Sequence, residues 1–301
     1  MACTNPLQAQ RYICGSTGVE AIRFRNFNGE PDLQLPCNKC PSCKLRKAKE
    51  WALRLWHESQ MHDECCFVTL TYDDEHLPAY ENLKHRDFQL FMKRLREKYE
   101  GRKILYYMCG EYGDRTHRPH YHVVLFNYYP PDAVYHRTHN KNRYYKSAEL
   151  DKLWRCGFTD TSAVTYHSAG YVARYTLKKQ LNNTDVQERY VYLDVHGDLK
   201  TRKFEYVRMS LRPGLGLSWF KKYYLRTVQE DCVLDPNGNP CPVPRYYLHY
   251  LRDYIHEETY DELAAKRLEK AQNNPDNDPS TLPAKRICTE ARLKQLPRPY
   301  L

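Results

Sequence analysis

Apolar and polar positions along the chain change period several times, and each change marks an element. Residues 104 to 126, ILYYMCGEYGDRTHRPHYHVVLF, hold two apolar, aromatic runs joined by a polar turn, the pattern of a β-hairpin. CFVTLTY, residues 66 to 72, is rich in β-branched and aromatic residues and stops at Asp73-Asp74, which predicts an interior strand followed by a turn. Residues 84 to 99 bring Phe88, Phe91, Met92 and Leu95 onto one face of a helix. Upstream, residues 45 to 62 repeat Leu45, Ala48, Ala52, Leu55 and Ser59 at helical spacing, with charges on the other side. Strand, helix and hairpin give a β-α-β-β order, so the expected fold class is α+β, an antiparallel sheet with flanking helices.

Downstream, residues 127 to 147 read as a polar, Tyr-rich connection, followed by a short helix near 148 to 154 and a longer one over 167 to 181. Residues 190 to 210 alternate as a hairpin around His196-Gly197-Asp198. Arg212-Pro213-Gly214-Leu215-Gly216 is a tight turn before the aromatic, basic helix WFKKYYLRT; its glycines either let backbone approach a phosphate or serve an ordinary turn. After Gln272, NNPDNDPSTLP has the composition of a disordered linker. The expected division is a Cys-cluster segment and helix (1–62), a core (63–182), an α/β extension (183–271) and a disordered basic tail (272–301).

The composition adds a partner. Lys and Arg number 47 against 37 Asp and Glu, a net charge of +10, and 27 Tyr accompany them. Cations interleaved with aromatics suit single-stranded nucleic acid before a membrane surface, although a merely soluble basic protein shares the charge. No apolar run is long enough to span a bilayer and no apolar signal core opens the chain, so the expectation is a cytosolic protein. Twelve Cys fall below the density of a disulfide scaffold, and clustered Cys in a reducing compartment point to metal.

Cys37-x-x-Cys40-x-x-Cys43 matches a zinc knuckle that needs a fourth ligand, for which Cys3 and Cys14 are the upstream candidates; an iron–sulfur cluster is the competing reading. His120 and His122 sit two apart on a strand and so share a face. Glu111 adds a carboxylate on that face if the paired residue numbers of the hairpin sum to an odd value, as in pairing with His120 or His122. Asp73, Asp74 and Glu75 either hold a metal or form a capped, solvated turn. At about 100° per residue, Tyr171, Tyr175, Lys178 and Arg174 fall on one stripe of their helix, with Ala169, Val172, Ala173, Thr176 and Leu177 on the stripe expected to bury. Paired tyrosines at this spacing are either core or a site.

CFVTLTYDD, GEYGDRTHRPHYHVVLF and GYVARYTLKK, in this order, resemble the three motifs of rolling-circle replication initiators of the HUH endonuclease superfamily. PCNKCPSCK and MSLRPGLGLSWFKKY narrow the resemblance to the initiators of gokushovirus-type microviruses, over roughly residues 1 to 225. The resemblance implies a split βαβ, RRM-like core and a metal-dependent nickase acting on single-stranded origin DNA. His120, His122 and Glu111 would be its metal ligands, for Mg²⁺ or Mn²⁺. Tyr171 and Tyr175 would be the nucleophiles, with Lys178 or Lys179 as the associated lysine. Zn²⁺ would be structural, on Cys37, Cys40, Cys43 and Cys3, and Arg174 and Arg212 would contact DNA. The implied setting is the cytoplasm of a bacterial host, with its helicase and polymerase as partners. A zinc-stabilised single-stranded DNA binding or packaging protein, or a related relaxase or transposase, would share part of the pattern.

Overall fold

The computed structural model describes residues 3–113, 116–140, 142–178 and 190–295, with side chains except at 174–178, 276, 294 and 295. From the N-terminus, β1 (Leu7–Ile13), β2 (Glu20–Arg23) and β3 (Leu33–Leu35) form an antiparallel sheet with β1 in the middle. Helix α1 (Pro41–Ser59) follows, and β4 (Cys65–Tyr72), α2 (His85–Lys98), β5 (Leu105–Tyr112) and β6 (Pro119–Phe126) then give the β-α-β-β order of the hydrophobic pattern.

The expected connection at 127 to 147 is instead an antiparallel ribbon, β7 (Val134–His139) and β8 (Asn142–Lys146). Helix α3 (Ala148–Trp154) leads into β9 (Gly157–Ala163), a strand the hydrophobic pattern did not reveal, and then into α4 (Tyr166–Lys178). Strands β10 (Val191–Leu193) and β11 (Leu199–Thr201) make the hairpin around His196-Gly197. They are followed by β12 (Tyr206–Met209), α5 (Leu217–Glu230), the short pair β13 (Val233–Leu234) and β14 (Pro240–Cys241), and α6 (Arg245–Leu251). Helices α7 (Glu257–Gln272) and α8 (Leu282–Gln295) complete the described residues.

Two units emerge: residues 1–47 with 256–298, and residues 48–255. This differs from the division expected from composition. β12 adds to the edge of the main sheet beside β5, so the chain beyond residue 183 is built into the core rather than appended to it. Residues 282 to 295 are helical where a disordered tail was expected, because the segment after Pro283 is made of good helix formers such as Ala, Leu, Lys, Arg, Glu and Gln.

The main sheet has seven strands in the order β12-β5-β6-β4-β9-β8-β7, and every pair in it is antiparallel. One face packs under α2 and α3, where Phe88, Phe91, Met92, Leu95 and Trp154 meet Val68, Leu70, Met108, Tyr121, Val123 and Leu125. Full burial of each such side chain contributes roughly 1.5–3 kcal/mol. Polar anchors aim these helices. The Tyr72 hydroxyl donates to Asp87 Oδ2 in the first turn of α2 (3.0 Å), and Trp154 Nε1 donates to the Thr71 carbonyl (3.0 Å).

The opposite face changes character along its strands. Its register rows run Leu105-Phe126-Cys65, Tyr107-Val124-Phe67, Cys109-His122-Thr69 and Glu111-His120-Thr71 across β5, β6 and β4. The apolar half is covered by Leu55 of α1 and by Ala169, Tyr171 and Val172 of α4. The polar half is the floor of a cleft.

Candidate metal centres and the cleft

Pairing of Glu111 with His120 gives the odd sum that puts the carboxylate on the imidazole face. Glu111 Oε1 stands 2.7 Å from His120 Nε2 and 3.0 Å from His122 Nε2, and the imidazoles lie nearly perpendicular, 4.9 Å between centroids. Glu111 is 1% exposed. Burial pushes its carboxyl up, but His122 and His120 more than reverse this and hold it down at about 2.

The ring nitrogens facing away from the carboxylate are oriented. His120 Nδ1 lies 3.1 Å from the Arg118 carbonyl, which only accepts, so this nitrogen carries the proton; His122 Nδ1 lies 3.0 Å from Thr69 Oγ1. In the neutral tautomer so fixed, both Nε2 lone pairs point at a carboxylate oxygen. Two lone pairs and an anion in mutual contact repel, and a cation among them turns that repulsion into coordination. Ligands held about 2.1 Å from an ion at right angles stand about 3 Å apart, which the observed separations match. The residues therefore fit a divalent ion with two nitrogen donors and one oxygen donor.

The cleft above the triad has a volume of about 270 Å³, and Thr69, Arg118, Arg137, Tyr144, Asp160 and Tyr171 are among its lining residues. Tyr171 on α4 is 6% exposed and sets its ring edge-on to His122, 5.3 Å between centroids. The stripe expected to bury does so at Ala169, Val172 and Ala173, but Tyr171 is buried too, because its side of α4 faces the imidazoles rather than solvent. Arg174, Tyr175 and Lys178 belong to the last turns of α4; their side chains, and Lys179 altogether, lie outside the described residues.

Several expectations resolve differently. The glycines of the 212–216 turn make room for tyrosines: a Cβ at Gly214 would run into the Tyr246 hydroxyl, and one at Gly216 into that of Tyr247. The turn's backbone is also engaged, since Arg54 donates twice to the Leu215 carbonyl (3.1 and 2.9 Å) and Glu58 Oε2 accepts from the Gly216 N–H (2.5 Å). Arg212 is exposed on this turn and is not one of the cleft's lining residues. Asp73 Oδ1 caps the His76 N–H at 2.8 Å, and Asp74 pairs with Arg118 at 2.6 Å, so the acidic turn closes on protein groups.

Sequence reasoning passed over Thr69, Arg118, Arg137, Lys146 and Asp160. The signal available was the alternation of Phe158, Asp160 and Ser162 against Thr159 and Thr161 in FTDTS, which is too polar to read as a strand by hydrophobicity.

The cysteine cluster lies in the other unit. Cys3, Cys37, Cys40 and Cys43 bring their sulfurs within 4.8 Å of one another, with Cys3 Sγ 3.5 Å from that of Cys37 and 3.8 Å from that of Cys40. Sulfurs about 2.3 Å from one tetrahedral ion stand about 3.8 Å apart, whereas the thiolates of an iron–sulfur cluster bind separate irons. Two of the sulfurs accept backbone N–H bonds, from Cys37 to Cys3 Sγ (3.3 Å) and from Cys40 to Cys37 Sγ (3.2 Å), as oriented thiolate ligands do. Cys3 is thus the fourth member, while Cys14 contacts Ser16 instead.

A family model for replication-associated proteins of the ORF2 type matches residues 65–180. The chain is 38% identical over 275 residues to replication-associated protein VP4 of Bdellovibrio phage phiMH2K, covering 88% of this chain and 82% of that protein. It is 31% identical over 291 residues to replication-associated protein ORF2 of Spiroplasma virus 4, covering 90% and 86%. It is 31% identical over 233 residues to replication-associated protein ORF4 of Chlamydia phage 1, covering 75% and 55%. No solved structure matches the chain. No helix among the described residues is long and apolar enough to cross a membrane.

Proposed function

The chain belongs to the family of phage replication-associated proteins, of the microvirus replication-initiator type, and on that premise we propose that it nicks single-stranded origin DNA through a tyrosine. The observation that carries this reading is the convergence of Glu111 Oε1 with the Nε2 atoms of His120 and His122 within 3.0 Å, at the buried end of a cleft that α4 overlooks. In this reading residues 63–182 are an HUH endonuclease core, into which β12 extends the sheet.

A divalent ion held by the triad would withdraw charge from the scissile phosphate and stabilise the charge that builds there. Two imidazoles make the donor set softer than an all-oxygen site, which favours Mn²⁺ over Mg²⁺. Thr69 and the Arg118 carbonyl keep both imidazoles in the ligating tautomer. Helix α4 delivers the nucleophile, and the ring of Tyr171 against His122 supports its assignment, with Tyr175 one helical turn on. The phenol oxygen bonds to phosphorus as the bond to the 3′ oxygen breaks, the phenol proton passes to solvent, and the leaving oxygen takes up a proton. The products are a 5′-phosphotyrosine and a free 3′-hydroxyl. Attack by a 3′-hydroxyl reverses the step and rejoins the strand. A phenol with an ordinary pKa near 10 needs a cation beside it to react at neutral pH, and Lys178 or Lys179 on the same helix would supply one.

The four cysteines would hold a structural Zn²⁺, with no coordination position left for chemistry. The host polymerase would extend the 3′-hydroxyl, and a host helicase would open the duplex ahead of it. The test is a nicking assay on single-stranded origin DNA with Mn²⁺ or Mg²⁺ against EDTA, with the covalent adduct read on a denaturing gel. Wild type should form a metal-dependent adduct, and the Tyr171→Phe/Tyr175→Phe double variant should form none. A double variant that forms adduct at the wild-type rate would place the nucleophile on another tyrosine.

A further inference from the structure

The row of side chains that carries Glu111 and His120 does not end at Thr71. On the far side of β4, Thr71 pairs with Phe158 of β9, so Phe158 lies on the triad's face of the sheet, two strand spacings or about 10 Å from His120. Its side chain is 61% exposed. Thr159 and Thr161, its alternating neighbours, are buried on the other face.

The same face continues onto the ribbon. The row Phe67-Ser162-Tyr144-Arg137 crosses β4, β9, β8 and β7, and the Arg137 guanidinium lies 4.6 Å over the Tyr144 ring. Asp160 pairs with Lys146 at 2.9 Å and with Arg137 at 3.2 Å, which ties the ribbon to β9 and leaves the trio one positive charge in excess. Rings and cations thus alternate on one surface that opens beside the triad, on a chain of net charge +10.

We infer that the β4-β9-β8-β7 half of the sheet is a track for single-stranded DNA, on which Phe158 stacks the base within two nucleotides of the reacting phosphate and Arg137 and Lys146 meet the backbone. The inference rests on the triad being the reacting centre. A ring exposed on a strand can take a base only if that base is unstacked, so the track selects single strands over duplex, and stacking tolerates any base. Asp160 has a positioning role here: by holding both cations it fixes the angle at which the ribbon presents Tyr144.

The experiment measures, on the full chain in EDTA, the affinity for a dye-labelled oligo(dT) and for an abasic oligomer of the same length. Phe158→Ala should weaken oligo(dT) binding about tenfold and leave the abasic oligomer unaffected, and Phe158→Tyr or Phe158→Trp should restore wild-type affinity. On a mapped origin strand, the difference between wild type and Phe158→Ala should vanish when a single abasic position sits within two nucleotides of the nick. Circular dichroism checks that each variant folds. Tyr144→Ala gives an independent reading at the second ring, with a smaller loss expected. Equal oligo(dT) affinity of wild type, Phe158→Ala and Tyr144→Ala, with wild type nicking normally in Mn²⁺, would overturn the track and leave the nickase standing. A Phe158→Ala binding loss in a protein whose wild type never nicks would overturn the nickase reading and leave Phe158 as a stacking platform.

Discussion

The chain carries two metal-compatible centres built on opposite principles. Around Cys3, Cys37, Cys40 and Cys43 all four members are the same soft donor, and they enclose one tetrahedral position with no side left open. Around Glu111, His120 and His122 there are three members of two kinds, on one wall of a cleft, so a bound ion would keep positions facing the cavity. A closed set of thiolates serves folding; an open set of nitrogen and oxygen donors can serve chemistry. The difference also lies in how each is assembled. Three cysteines come from one seven-residue stretch, whereas the triad exists only once β5 and β6 pair in one register.

The largest effect should come from breaking the closed centre. Cys37→Ser should abolish stoichiometric zinc and unfold residues 3–47, since a structural zinc contributes on the order of 10 kcal/mol to the folding of a small site. Metal analysis and limited proteolysis read this directly. Retention of one zinc per chain would show that the cluster does not need all four sulfurs.

Next in size is the open centre. Glu111→Ala should lower nicking about 10²–10³-fold, as loss of a group that positions transition-state charge does elsewhere, while zinc content stays at one per chain. Glu111 is buried against both imidazoles, so its removal tests the triad without touching the cleft mouth. A variant that nicks normally would remove the carboxylate from the site.

Smaller still is the effect of orientation. Thr69→Val keeps the shape and removes the hydroxyl 3.0 Å from His122 Nδ1, and should raise the Mn²⁺ concentration for half-maximal nicking about 10- to 100-fold without lowering the rate at saturation. A lower saturating rate with unchanged metal affinity would assign Thr69 to substrate instead.

The smallest expected effect is that of pH. Glu111, held down at about 2, stays ionised far into acid, so the carboxylate does not titrate out of the site between pH 7.5 and 6. Each imidazole must shed a proton to ligate, and with an ordinary His pKa near 6.5 this lowers metal affinity by about tenfold over that interval. Calorimetric titration with Mn²⁺ at the two pH values checks it.

Legibility followed chemistry and periodicity. β4, α2, β5 and β6 were readable because their apolar residues recur at period 2 or 3.6. The ribbon of β7 and β8 was not, because VYHRTH and NRYYK present few apolar positions, and these strands owe their existence to pairing with each other and with β9. β9 escaped for the same reason: its inward residues are Thr159 and Thr161, buried threonines that no hydrophobic pattern marks. The 212–216 turn was placed correctly, yet its glycines answer to Tyr246 and Tyr247, partners that come from a helix far along the chain.

By itself the sequence determined the local facts: which stretches are strands and helices in the core, that three cysteines sit at ligand spacing, and that His120 and His122 must share a strand face whatever else happens, because alternation is a property of the backbone. Only the tertiary structure decided what meets across the chain. It chose Cys3 over Cys14, set Glu111 opposite His120, turned Tyr171 toward His122 and brought Phe158 into the triad's row. Each of those depends on register or packing between segments distant in sequence, where a shift of one residue reverses a side chain's face and leaves the local pattern unchanged.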